Sequence, residues 1–126
     1  MSIAIGHFAF GAAMTTLVVT FLVPTDRYPR TIVLFGGGWA MLPDFHWISP
    51  IAAERLRELH QTSALTDIFW LHRTWDRLDP TDSKPIAAGL LAVLFVATAI
   101  AERREYRVPR SVETTYREYL DLESDD

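Results

Sequence analysis

Apolar residues along this chain come in blocks separated by charged stretches, rather than interleaved at the period of a helix or a strand. The first block runs from Ile3 to Val23, and its only polar side chains are His7, Thr15, Thr16 and Thr20. As a helix it rises about 30 Å, enough to cross the hydrocarbon core of a bilayer. Pro24 ends it, and Thr25-Asp26-Arg27-Tyr28-Pro29-Arg30 reads as a charged turn. The block lacks a positively charged leader and is longer than the apolar core of a signal peptide, so a retained span is expected.

The second block opens at Thr31. Its wholly apolar or small part, Thr31 to Leu42, covers only roughly 18 Å as a helix. Continuing through Pro43 to Ile48 reaches spanning length but takes in Asp44 and His46, so a span broken near Pro43 is expected. Gly36-Gly37-Gly38 would let helix backbones approach closely in a bilayer, and Gly11, Ala12 and Ala13 offer a matching surface. Ser49-Pro50 reads as a cap and first-turn proline for an amphipathic helix to about His60, with Ile51, Ala52, Leu56 and Leu59 on one stripe. A short aromatic-rich helix is expected over Ala64 to Leu78. Asp82 or Ser83 caps the third apolar block, Ile86 to Ala101, which is slightly short of a full span. Beyond Pro109, Ser111 starts a short tail helix using Val112, Tyr116, Tyr119 and Leu120.

The expected fold is therefore all-α and integral to the cell membrane, with about three transmembrane helices and short amphipathic interfacial helices. Residues 1–104 form a single helical membrane domain, and 105–126 an acidic tail with a short helix. The chain is 49% hydrophobic yet 22% charged, which the block pattern reconciles. The net charge of −4 leaves no basic stripe for nucleic acid. Without cysteine, a metal site must use His, Asp, Glu and water. Eleven arginines against the single Lys84, with the acidic run Asp121–Asp126, fit a halophilic archaeal source and equally a GC-rich genome. Arginines are slightly more numerous on the tail side, which favours the tail inside and the amino terminus outside.

Three alternating spans would gather His7, Asp44, His46, His60, His72, Asp76 and Asp79 on one membrane face, and all four histidines of the chain are in that set. His72, Asp76 and Asp79 form one stripe if helical, a geometry for metal ligands or for a His–carboxylate hydrogen bond. Asp44 and His46 converge only if Pro43 leaves the backbone irregular. Imidazole with carboxylate suits zinc, manganese or iron with water in the open positions. Each residue also has a structural role open to it: His7 as a helix cap, Asp44 at a broken helix end, His46 in an aromatic belt with Phe45 and Trp47, and His60 at the end of a surface helix. Arg73 and Arg77 read as solvated groups or as lipid-phosphate contacts.

At these residues the chain resembles the membrane-bound, predicted metal-dependent hydrolases of bacteria and archaea, some of them regulated with the DNA-damage response. Gly6-His7-Phe8 with Gly11-Ala12-Ala13 resembles the family's Gly-His opening on its first span. Leu42-Pro43-Asp44 is similar to its Leu-Pro-Asp motif, and His72-Arg73 before a hydrophobic span to its His-Arg motif. His46 and Trp47 stand where the family has a second Asp and a His, and Thr74-Trp75-Asp76-Arg77 where it has a Thr-His pair. The resemblance thus implies a divergent member. His7, Asp44 and His72 carry over as metal ligands, with Arg73 in the catalytic set. His46 as a ligand and Asp76 as a catalytic group or ligand are substitutions by chemistry. The implied function is hydrolysis of an ester or phosphoester at one membrane face by a divalent-metal site. The alternative is a non-enzymatic membrane scaffold or subunit whose His and Asp residues only stabilise helix ends. Expected partners are membrane lipids, and a second copy or another membrane protein through the glycine-rich helix faces.

Overall fold

The computed structural model describes residues 4–25 and 27–124. The start of the first block at Ile3, Asp26 in the charged turn, and Asp125 and Asp126 of the tail lie outside the described residues. Those described form six α-helices and two 3-10 segments, with no strand among them. They are α1 (Ala4–Phe21), α2 (Pro29–Met41), a 3-10 segment Leu42–Trp47, α3 (Ala53–Thr62), a 3-10 segment Ala64–Ile68, α4 (His72–Leu78), α5 (Lys84–Arg103) and α6 (Arg110–Ser124).

Helix α1 is the centre of the bundle and packs against both α2 and α5. Its buried threonines satisfy their own hydroxyls: Thr15, Thr16 and Thr20 donate to the carbonyls of Gly11, Ala12 and Thr16 at 2.7, 2.7 and 2.6 Å. A hydroxyl bonded one turn back can be buried without an unmet partner. The α1–α2 contact is close because glycine leaves room for it. A Cβ on Gly36 would overlap the Thr15 side chain, and one on Gly37 would lie 2.6 Å from the Phe8 ring. A Cβ on Gly38 would meet nothing within 4 Å. Two of the three consecutive glycines are thus used within the chain and the third faces outward.

The interior of this bundle is small and partly polar, while its large apolar side chains point outward. Ala9, Ala12, Ala13, Ala40, Ala87, Ala97 and Ala101 are buried, and the largest fully buried side chains are His72, Thr16, Thr20 and Asp79. Phe35 is 72% exposed on α2 and Phe95 is 78% exposed on α5, with Leu34, Leu91, Val93 and Val96 also exposed.

Among the described residues two helices, α1 and α5, are long and apolar enough to cross a membrane. The expected second span is the short one: α2 has 13 residues, a rise of about 20 Å, and runs from Arg30 beside Glu102 at one end of the bundle to Ala40 beside His72 at the other. It ends at Met41, and the chain continues as the tighter 3-10 segment containing Pro43, which cannot donate the backbone bond a continuing helix needs. Helix α5 is longer than its apolar core predicts. Ser83 accepts from the Ile86 N–H at 3.4 Å and Pro85 sits in the first turn, so the helix starts at Lys84.

Two local expectations change. Ser49 does not cap the following helix; its hydroxyl donates to the Ile51 carbonyl at 2.7 Å, and α3 begins only at Ala53. Serine's short side chain favours such local turns over helix. The single helix expected over Ala64 to Leu78 is two pieces, broken where Trp70 and Leu71 take φ of 53° and 58°. Bulky residues there are strained. Asp67 accepts from the Thr74 N–H at 2.8 Å and from its hydroxyl at 3.0 Å, stitching the two pieces together.

Candidate metal centre

One end of the bundle brings together histidine and aspartate side chains from four separate elements. His7 lies in the first turn of α1, and Asp44 in the 3-10 segment that follows α2. His60 sits near the end of α3, and His72 and Asp76 lie one turn apart on α4. Asp44 can point inward because the backbone after Pro43 is no longer α-helical.

The functional atoms converge. His7 Nε2 and His60 Nε2 each lie 3.0 Å from one oxygen of Asp76, on Oδ1 and Oδ2 respectively. His72 Nε2 is 3.0 Å from His60 Nε2, 3.4 Å from Asp44 Oδ1 and 3.8 Å from Asp76 Oδ2. The His7 and His72 rings stack at 3.7 Å between centroids. His72 is fully buried, at 0% exposure. Among the described residues two ligand sets are close enough to hold a metal ion: His7, Asp44 and His72, and His60, His72 and Asp76. Donor atoms sharing an ion at about 2.0–2.2 Å are about 3.0–3.5 Å apart, the spacing of most of these pairs.

Tautomer and count follow from the hydrogen bonds. His72 Nδ1 lies 2.7 Å from the Ala40 carbonyl, which can only accept, so Nδ1 carries a proton. In the neutral ring Nε2 is then a bare lone pair facing the cluster, the arrangement metal-binding histidines adopt. Both ligand sets share that one nitrogen, and one imidazole nitrogen binds one ion. The two sets therefore offer room for a single ion rather than a binuclear pair.

Two carboxylates, Asp44 and Asp76, face the His72 ring. Burial alone pushes the His72 pKa down, but the hydrogen bond and charge of Asp44, the Ala40 carbonyl and the Asp76 charge outweigh it, and the pKa is raised. Among the described residues Asp44 Oδ2 and His60 Nδ1 are buried without a hydrogen-bond partner. A buried carboxylate oxygen left unpaired is costly, and a divalent ion beside it would remove that cost.

The expected site residues fall into groups. His7, Asp44, His72 and Asp76 come together. His46 does not join either ligand set among the described residues: its Nδ1 donates to the Pro43 carbonyl at 2.9 Å, and its ring lies 5.0 Å from that of His60. Asp79 leaves the expected stripe because α4 ends at Leu78. Its two oxygens accept from the Ser83 N–H at 3.0 Å and hold the turn into α5. Arg73 lines a cavity of about 190 Å³ beside the cluster, with His60, Gln61, Asp76 and Arg77. His60 is the member sequence reasoning assigned to a helix end. The one available signal was its place among four histidines on a common face. No family model, curated protein or solved structure matches this chain.

Proposed function

We propose that the chain is a multi-pass membrane protein that holds one divalent ion at one membrane face and hydrolyses an ester or phosphoester there, in the manner of the membrane-bound metal-dependent hydrolases it resembles. Membrane integration is supported by the two long apolar helices and by the bundle's outward-facing large side chains, with small residues at the helix contacts. The observation that carries the site is the convergence of His7, Asp44, His60, His72 and Asp76, with the His72 tautomer set by Ala40.

His72 and Asp44 are the central ligands, with His7 and His60 completing the sphere. Asp76 stands 3.0 Å from His7 Nε2 through one oxygen and 3.0 Å from His60 Nε2 through the other, the spacing of a further ligand beside them. A divalent ion held by these residues would lower the pKa of a bound water and so supply a nucleophile near neutral pH. Arg73 and Arg77 supply positive charge at the edge of the cluster for a substrate anion.

The test is metal content. The protein purified in mild detergent is expected to carry about one equivalent of zinc, manganese or iron, and His7→Ala, Asp44→Ala and His72→Ala to lose most of it. A parent protein without stoichiometric metal, or three variants that all keep it, would refute the proposal. The first outcome would leave the histidine–aspartate cluster with a purely structural role.

A further inference from the structure

Two cavities of opposite character meet at His60. On one side lies the small polar cavity lined by His60, Gln61, Arg73, Asp76 and Arg77. On the other is an apolar groove of about 590 Å³ between the 3-10 segment Leu42–Trp47, α3 and the 3-10 segment Ala64–Ile68, with Phe45, Leu56, Leu59, Leu65 and Phe69 in its walls. The groove is within the volume range of small-molecule sites. Leu59 and Leu65 are 60% and 78% exposed, so its rim is itself apolar. Among the described residues neither Arg73 nor Arg77 is in an ion pair.

We infer that the substrate is a phosphate ester of a long-chain lipid alcohol, its chain in the apolar groove and its phosphate held by Arg73 and Arg77 at the edge of the histidine–aspartate cluster. This rests on the hydrolase reading above and narrows it to a substrate class. A free sugar or nucleotide would leave the groove empty, and an uncharged ester would make no use of the two guanidiniums beside the site. Guanidinium groups match phosphate oxygens in geometry as well as charge. A chain of CH₂ groups suits a groove that offers almost no polar partner. It also suits entry sideways from the lipid, because the groove opens among exposed Phe45, Leu59 and Leu65.

Hydrolysis would put the water oxygen on phosphorus and break the bond between phosphorus and the alcohol oxygen. The alcohol oxygen would leave with the bonding electron pair and take up the proton the water gave up. The lipid alcohol would remain in the groove while inorganic phosphate, or the phosphate with its other substituent, left past the arginines.

The test is binding of non-hydrolysable probes to detergent-purified protein by calorimetry, with octylphosphonate, methylphosphonate, inorganic phosphate and octanol. Octylphosphonate is expected to bind at least about ten-fold tighter than methylphosphonate or inorganic phosphate. That is well under the roughly four-fold per methylene of complete burial, since the micelle competes for the chain. Arg73→Gln with Arg77→Gln should weaken both phosphonates and inorganic phosphate about ten-fold or more, and leave octanol unchanged. Leu59→Gln with Leu65→Gln, at exposed positions, should remove the advantage of the octyl chain while inorganic phosphate binds as before. Equal affinity for octyl- and methylphosphonate would overturn the inference, as would binding that ignores the arginine changes. Running each titration with and without a chelator separates the two proposals. Chain- and arginine-dependent binding by a protein that holds no metal would sink the hydrolase and keep the lipid-phosphate site. Stoichiometric metal with no discrimination among probes would do the reverse.

Discussion

Replacing His60 by alanine removes an imidazole whose Nε2 stands 3.0 Å from both Asp76 Oδ2 and His72 Nε2. Those two spacings are edges of a coordination sphere, so His60 should bond the ion directly. Loss of a mere outlying partner costs about 10–100-fold in metal affinity, and loss of a ligand should exceed that, above about 2.8 kcal/mol. His46→Ala is the matched comparison. Its ring touches His60 at 5.0 Å, but it belongs to neither ligand set, and its Nδ1 is taken by the Pro43 carbonyl. Its removal should therefore stay within about ten-fold of the parent, the lower end of an outlying effect. Competition with a chromogenic zinc chelator measures both variants against the parent in the same micelles. If His60→Ala and His46→Ala lose affinity equally, or His60→Ala loses none, His60 is not a ligand and the single-ion geometry derived above is wrong.

Gly36→Ala should destabilise the bundle by about 1–3 kcal/mol, because its Cβ would overlap Thr15 and force α1 and α2 apart. Gly38→Ala, with open space around its Cβ, should stabilise by up to about 1 kcal/mol through helix propensity alone; matching midpoints in thermal melts of the two variants would contradict this. For metal-free protein, the raised His72 pKa means the folded state holds this proton more tightly than the unfolded chain does. That stabilisation is full below the ordinary value of 6.5 and is lost as pH rises through the raised value, so the chelated protein should melt lower with increasing pH above 6.5. His72→Gln should flatten that trend, and a parent whose melting point climbs over this range would speak against the assigned environment. Cysteines placed at Phe95 and at Leu122 should differ in membranes: the first shielded from a water-soluble maleimide, the second labelled, with equal labelling arguing against an inserted α5.

The block pattern made the helices legible, and it did so because a long apolar run has few ways to satisfy its backbone other than an α-helix. α1 lies within the first block, and Ser83 caps α5 as a short polar residue before an apolar run should. The break near Pro43 was legible for the same local reason: proline lacks the N–H that a continuing helix requires. Less legible were Trp70 and Leu71, whose positive φ no local preference favours. Trp70 would be only 3.2 Å from a Cβ on Gly11, so that glycine leaves space for the ring. Tertiary packing can hold what propensity opposes.

What the amino-acid sequence determined by itself was where the apolar mass lies and which residue types were available for chemistry: four histidines, no cysteine, and carboxylates near proline and helix ends. That His7 and Asp76, sixty-nine positions apart, share a hydrogen bond was decided by the tertiary structure alone. The same holds for His60. At the end of a helix bearing Glu54, Arg55, Arg57 and Glu58 it reads as ordinary helix-end chemistry, yet α3 folds against the 3-10 segment Leu42–Trp47 and turns it inward. Local sequence controls helix formation through short-range sterics and hydrogen bonds. Which polar atoms end up facing one another depends on how close the helices can come, and in this chain Gly36 and Gly37 set that distance.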